Sequence, residues 1–385
     1  MRVLAAFDKF KDSLSARQAC ELAARALRSQ RQDWEVDLCP LTDGGEGFAE
    51  ILTRAAGGEL AKFPVAGPRG GQVEAPVGLV SLAKVPRAAL ALLAPPENST
   101  RIAIIDMASA SGLALLAPDQ RDPWQATSYG TGQLIRAAAE LKAGLVLLGV
   151  GGSATNDLGL GALSALGFEF RSAAGARLHP PIPAVWPQVA RIAGGLFASA
   201  PPIRIACDVA NPLLGPRGAT AVFGPQKGLQ PRDYDRLEAE CSRLAALLAD
   251  TCGASGALAG TPGAGAAGGI AFGLMTAARA RLLSGSGLVG AWLDLEARLT
   301  AADVVLTGEG RFDASSLGGK GPGAVALRAA ELGKPVHVFA GQVEAGPVSA
   351  GLKLHAITPA GTPLPEALRA AGDNLVAAIQ AEFRG

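Results

Sequence analysis

Residues 145–157 read Leu-Val-Leu-Leu-Gly-Val-Gly-Gly-Ser-Ala-Thr-Asn-Asp, an apolar run that breaks into a glycine-rich polar loop. The run predicts a strand, and a helix closed by Gly167 follows the loop. The same succession recurs along the chain. Val3–Phe7 runs into Asp8-Lys9-Phe10-Lys11-Asp12-Ser13, then into Ala19, Leu22, Ala23, Ala26 and Leu27 at helical spacing. Ser15 and Gln18 form a capping-box pair ahead of that helix. Val36–Cys39 reaches Thr42-Asp43-Gly44-Gly45-Glu46-Gly47 before a helix near 48–55. Val304–Thr307 reaches Gly308-Glu309-Gly310-Arg311-Phe312-Asp313 before a helix opened by Pro322. Val336–Ala340 and Leu354–Ile357 predict two further strands. Strands alternating with helices imply βαβ units and a parallel sheet covered on both faces.

Residues 63–107 read differently, with imperfect alternation over 73–80, proline-rich segments at 86 and 95–96, and another strand at 101–107. Hairpin-like strands are expected near 168–178 and 203–209. A long helix follows from Pro231, with Tyr234, Leu237, Cys241, Leu244 and Leu248 along one stripe that places Cys241 in a core. The middle of the chain is therefore expected to be a second, mixed α/β domain at 63–287, inserted into a first made of 1–62 and 288–385.

Composition narrows the function classes. The chain has 385 residues, of which 49% are hydrophobic and 18% charged, enough for a sizeable core. A formal charge of +1 gives no field to hold nucleic acid or an anionic membrane. Five cysteines without C-x-x-C spacing fit reduced cytoplasmic thiols, and no stretch is apolar enough to span a membrane. Gly is 50 of 385, a frequency that suggests backbone-lined loops.

Four loops, 8–13, 43–47, 151–157 and 308–313, each follow a strand and precede a helix, the place where open α/β sheets bind ligands. Gly151, Gly152, Ser153, Ala154, Thr155 and Asn156 have the small side chains and hydroxyls of a phosphate cradle. The same loop reads as a helix-capping turn. It also satisfies G-x-G-x-x-A at 149–154 with Glu169 twenty residues on, the spacing of a dinucleotide fold. No G-x-x-x-x-G-K-[ST] is present. Asp8, Asp43, Glu46, Asp157, Asp208, Glu309 and Asp313 offer oxygens suited to Mg²⁺ or a general base, although Asp43 and Asp157 also stand where helix caps belong. Lys9, Lys11, Lys227 and Lys320 fall in polar loops of a chain with only nine lysines. His179, His337 and His355 form no metal or triad pattern, and His337 reads as structural.

At these loops the chain resembles the glycerate kinase family that includes bacterial glycerate 2-kinases. The stretches that carry the resemblance are 8–15, 42–47, 107–113, 121–123, 127–132, 149–157, 206–213, 223–228, 262–269 and 307–313, in family order over nearly the whole length. Phe7 stands where the family often has Pro, and 84–98 looks family-variable. The resemblance implies two α/β domains, one flavodoxin-like and one inserted, with the active site in the cleft between them. It implies ATP- and Mg²⁺-dependent phosphorylation of D-glycerate, usually at the 2-hydroxyl. A homodimer is compatible with it, and neither nucleic acid nor membrane is a partner.

Phosphoryl transfer asks for cations on the phosphates, a positioned hydroxyl and a base. These roles fall to 151–156 with Lys227 and Lys320 for the phosphates, and to Asp208, Glu309 and Asp313 for the metal. Asp43 or Asp8 serves as base, and Lys9, Lys11 or Arg311 holds the substrate carboxylate. A 3-kinase, a nicotinamide dehydrogenase using 149–154 and a non-catalytic anion-binding module remain the alternatives.

Overall fold

The computed structural model describes residues 1–314, 316–317, 321–344 and 351–384. Its strands are β1 (Arg2–Phe7), β2 (Glu35–Leu38), β3 (Glu59–Ala66), β4 (Gln72–Ser81), β5 (Arg101–Asp106), β6 (Leu145–Gly149), β7 (Phe168–Arg171), β8 (Arg191–Gly194), β9 (Ile203–Ala206), β10 (Arg281–Leu283), β11 (Val304–Phe312), β12 (Val336–Val343) and β13 (Leu352–Ala356). The chain divides into two compact units, 1–43 with 289–385, and 44–288.

The first unit holds a parallel five-stranded sheet in the order β13-β12-β11-β1-β2. Numbered along this unit's own chain, the order is the 2-1-3-4-5 of flavodoxin-like folds, whose direction of winding reverses between the first and third strands. Here those strands are β1 and β11. Val3–Phe7 are fully buried, as a central parallel strand requires. Helix Ala16–Gln30 begins at Ser15, whose hydroxyl accepts from the Gln18 N–H while the Gln18 carboxamide accepts from the Ser15 N–H. Its alanine-rich face packs on β1 and on helix Leu364–Glu382.

The second unit holds a six-stranded sheet in the order β10-β9-β6-β5-β4-β3. Strands β5, β6, β9 and β10 are parallel, and β4 runs against both its neighbours. β7 and β8 form a separate antiparallel ribbon. Helices Tyr129–Glu140 and Leu160–Leu166 pack together, and the long helix Tyr234–Cys252 buries Leu237, Cys241, Leu244 and Leu248. The fold class is the one expected, a parallel α/β unit and a mixed one. None of the described helices is long and apolar enough to cross a membrane.

Three local expectations are corrected. Helix Phe48–Ala55 packs on β4 and β5, so the second unit starts near 44 rather than 63. Residues 203–206 form β9, a parallel strand between β6 and β10, because Ile203–Ala206 is buried on both faces. Residues 308–312, expected as loop, continue β11, because β12 pairs with them as far as Phe312↔Val343. β1 stops at Phe7↔Gly308, so β11 outruns it by four residues.

Gly308 shows how closely this centre is packed. A Cβ there would collide with the Phe339 carbonyl oxygen and press on the Phe7 ring. Gly308→Ala should therefore destabilise by about 1–3 kcal/mol, seen as a lower urea midpoint. An unchanged midpoint would mean the strands can separate at no cost.

Candidate active site

Where β1 ends and β11 continues, carboxylates collect within the first unit. Asp8 follows the last residue of β1 and is only 8% exposed. Its backbone N–H donates to the Gly308 carbonyl at 3.0 Å, and its Oδ1 accepts the Lys9 N–H at 2.7 Å. Burial, then the charge of Asp43, push the Asp8 carboxyl up to about 6. Glu309 rises to about 7, chiefly by burial, with Asp8, Asp313 and Asp43 adding repulsion against a hydrogen bond from Ser316. Glu309, Arg311 and Asp313 alternate to one side of the extended chain. A Cβ on Gly321 would lie 3.6 Å from Asp8 Oδ2, so helix Gly321–Glu331 starts beside this carboxylate.

The cations here are placed unequally. Lys9 Nζ pairs with Asp43 Oδ1 at 3.1 Å. Lys11 is exposed, because 10–14 closes into a tight turn in which the Ser13 and Leu14 N–H groups both donate to the Phe10 carbonyl. Arg311 is tied to Asp313 at 3.3 Å and to Glu344. The structure thus brings together Asp8, Lys9, Asp43, Glu309, Arg311 and Asp313, and leaves Lys11 pointing outward. Lys320 lies outside the described residues.

In the second unit the carboxyl ends of the strands are level, with Asp106, Gly149, Ala206 and Leu283 paired in register. The glycine-rich loop after β6 is clasped from both sides. Gly151 N–H donates to the Gly44 carbonyl, and a Cβ on Gly151 would lie 2.8 Å from the backbone of Gly45. On the other side Leu113 N–H donates to Gly152 and Ala154 N–H to Ser111. Gly152 is exposed, with φ +71°, a left-handed conformation natural to glycine. The backbone N–H groups of Gly152 and Ser153 have no hydrogen-bond partner among the described residues.

Beyond Ala154 the loop turns inward. Thr155, Asn156 and Asp157 are fully buried. Asp157 accepts from Ser128 N and Oγ at 2.7 and 2.8 Å, and from the N–H groups of Gly159 and Gly161. Burial raises its carboxyl despite these bonds. Lys227, 1% exposed, donates from Nζ to the Thr155 carbonyl at 2.6 Å. Burial lowers its amine to about 7, with Asp157 acting in the opposite sense. Thr155 Oγ1 and Asn156 Oδ1 are buried without a partner among the described residues. Lys227 therefore supports the loop from beneath, and Gly152 is its exposed residue.

Asp208, expected with the metal ligands, belongs to the second unit. Its oxygens accept from Ser284 Oγ, Ser286 Oγ and the Ser286 N–H, at the start of helix Gly285–Trp292. Glu46 is exposed. The dinucleotide reading of 149–154 fails on Glu169, which sits in the separate β7–β8 ribbon bound to Arg171 at 3.0 Å. Sequence reasoning missed Asp106, which ends β5 as the other acidic residues end their strands. It is buried, and it accepts the Gly47, Ala49 and Ser109 N–H groups, anchoring helix Phe48–Ala55, whose own cap position is Gly47.

The family model for the glycerate kinase family matches residues 3–384. The chain belongs to the glycerate kinase family. Among curated glycerate kinase family members it is 37% identical over 345 residues to "Glycerate kinase" of Bacillus subtilis (strain 168), covering 89% of this chain and 85% of that one. It is 35% identical over 394 residues to "Glycerate 2-kinase" of Escherichia coli (strain K12), covering 97% and 95%. A crystal structure assigned as a candidate glycerate kinase 2 from Salmonella typhimurium LT2 superposes with TM-score 0.77 at 37% identity, covering 100% of this chain and 97% of that one.

The buried amine gives a direct test of the loop's underside. Lys227 titrates near 7 in the fold against an ordinary 10.5, so between those values the unfolded chain binds more protons than the folded one. Wild type should therefore gain stability relative to Lys227→Met as pH rises from about 7 towards 10. Parallel stability–pH curves for the two proteins would show that Lys227 is not buried.

Proposed function

We propose that this chain transfers the γ-phosphoryl group of ATP, with Mg²⁺, to the 2-hydroxyl of D-glycerate, giving 2-phosphoglycerate and ADP. The observation that carries the reading is Asp8, a buried carboxyl at the point where the winding of a flavodoxin-like sheet reverses, raised to about 6 and flanked by Glu309. A carboxylate that titrates near neutrality suits a general base. The relative named glycerate 2-kinase supports the choice of hydroxyl.

The residues present fit the groups this reaction needs. Gly152 and Ser153 present backbone N–H groups with little bulk, and Gly151 lets the loop lie close to Gly44 and Gly45, which suits phosphate oxygens. Glu309 and Asp313 are an all-oxygen donor set, which suits Mg²⁺. The ion would neutralise charge on the transferring phosphoryl group.

Asp8 takes the proton of the 2-hydroxyl as that oxygen forms its bond to the γ-phosphorus and the bond from phosphorus to the ADP oxygen breaks. Lys9, held by Asp43, offers its ammonium to the substrate carboxylate. Lys227 fixes the Thr155 carbonyl and so the loop that bears Gly152.

Two measurements test this. ADP release on D-glycerate should be followed by an enolase signal without added mutase. A signal appearing only after mutase would move the phosphoryl group to the 3-hydroxyl, and no ADP above background would end the kinase reading. Asp8→Asn should lower kcat by about 10²–10⁴-fold with the folded state retained. Near-wild-type turnover in that variant would remove Asp8 from the chemistry.

A further inference from the structure

Three titratable side chains outside the proposed reaction meet on the first unit's sheet. His337 comes from β12, His355 from β13 and Glu382 from the last turn of helix Leu364–Glu382. Their ligand atoms all lie within 4.8 Å of one another. His337 Nδ1 is 3.3 Å from His355 Nε2 and 3.4 Å from Glu382 Oε1. Ligand atoms bound tetrahedrally at about 2.0–2.1 Å stand about 3.3–3.4 Å from each other, so these separations are edges of such a site.

We propose that His337, His355 and Glu382 bind a borderline divalent transition metal of the Zn²⁺ class, tying the C-terminal helix to β12 and β13. Two imidazoles and one carboxylate suit that class, whereas Mg²⁺ prefers oxygen donors. The site is distinct from the carboxylates above. His337 lies three residues before Ala340, the register partner of Glu309, or about 10 Å back along β12.

The surroundings are those of a ligand set. Phe339 stacks on His355 with ring centres 4.4 Å apart, and Phe383 packs on His337 at 4.8 Å. These apolar rings limit how far the imidazoles can turn. His337 is buried, whereas Glu382 is 26% exposed at its side chain, leaving a route from solvent. Without metal, the two imidazoles lie nearly parallel, 8° apart, with the facing nitrogens at hydrogen-bonding distance. Lys353 Nζ meets Glu382 Oε1 at 3.0 Å. Metal entry requires the imidazole that donates this hydrogen bond to carry its proton on its other ring nitrogen, so that both facing nitrogens offer lone pairs to the ion, and it displaces the lysine from the carboxylate.

The test titrates metal-free full-length protein with Zn²⁺ by calorimetry and thermal unfolding, and with Co²⁺ by visible spectroscopy. Expected are one equivalent of Zn²⁺ at this site, a raised Tm, and the strong visible bands of tetrahedral Co²⁺. Glu382→Gln and His355→Ala should each weaken Zn²⁺ by more than about tenfold. Lys353→Ala should tighten it, a gain that misfolding cannot imitate. No stoichiometric Zn²⁺ on folded wild type, or equal affinity in wild type, Glu382→Gln and His355→Ala, would overturn the proposal.

Discussion

The chemistry of the first unit depends on one mismatch in strand length. β1 ends at Phe7 while β11 runs on to Phe312 along β12, so the chain after β1 leaves the sheet beside a strand that continues. Asp8 and Glu309 are thereby set near each other where little water reaches them. A buried carboxyl loses hydration on ionising, and a neighbouring carboxylate adds repulsion, so both are held in the range where a proton is readily exchanged. Lys9 and the start of helix Gly321–Glu331 supply the opposite sign that keeps this tolerable. A fold with equal strands at this point would leave the same residues as ordinary solvated acids.

The second unit works by exclusion rather than by charge. Gly149 and Gly151 are glycine because the backbone of Gly44 and Gly45 lies where a side chain would be. The 111–113 segment closes the opposite side, and Asp157 with Lys227 fixes the inner end of the loop. The exposed backbone around Gly152 is thus left free while its flanks are held. A loop held in this way would meet an anion without having to reorganise, which is what the proposed phosphate site requires.

How much of this was legible in the sequence follows from how local each signal is. The buried strands at 3–7 and 145–149, the Ser15–Gln18 cap and the long helix stripe through Cys241 all depend on neighbours in the chain, and all were readable. The extension of β11 was not. Gly308-Glu309-Gly310-Arg311 has loop composition, and only pairing with β12 makes it strand. β10 escaped notice because Arg281–Leu283 is three residues long. Lys227 read as a loop cation for the phosphates, yet its burial is set by Thr155 and Asp157, some seventy residues away. His337, His355 and Glu382 carry no spacing motif, since parallel register and a returning helix bring them together. Asp106 had the same signal as the other strand-ending acids and could have been found.

Burial and the charge of Asp43 raise the Asp8 carboxyl towards neutrality. The most direct measurement is the pH dependence of kcat/KM, which reports groups of the free enzyme, in wild type and in Asp43→Asn. An acid limb near 6 is expected in wild type. Removing the Asp43 charge, and releasing Lys9 from it, should move that limb to lower pH. A limb that stays in place in Asp43→Asn, or that lies at the ordinary aspartate value of 3.8 in wild type, would contradict it.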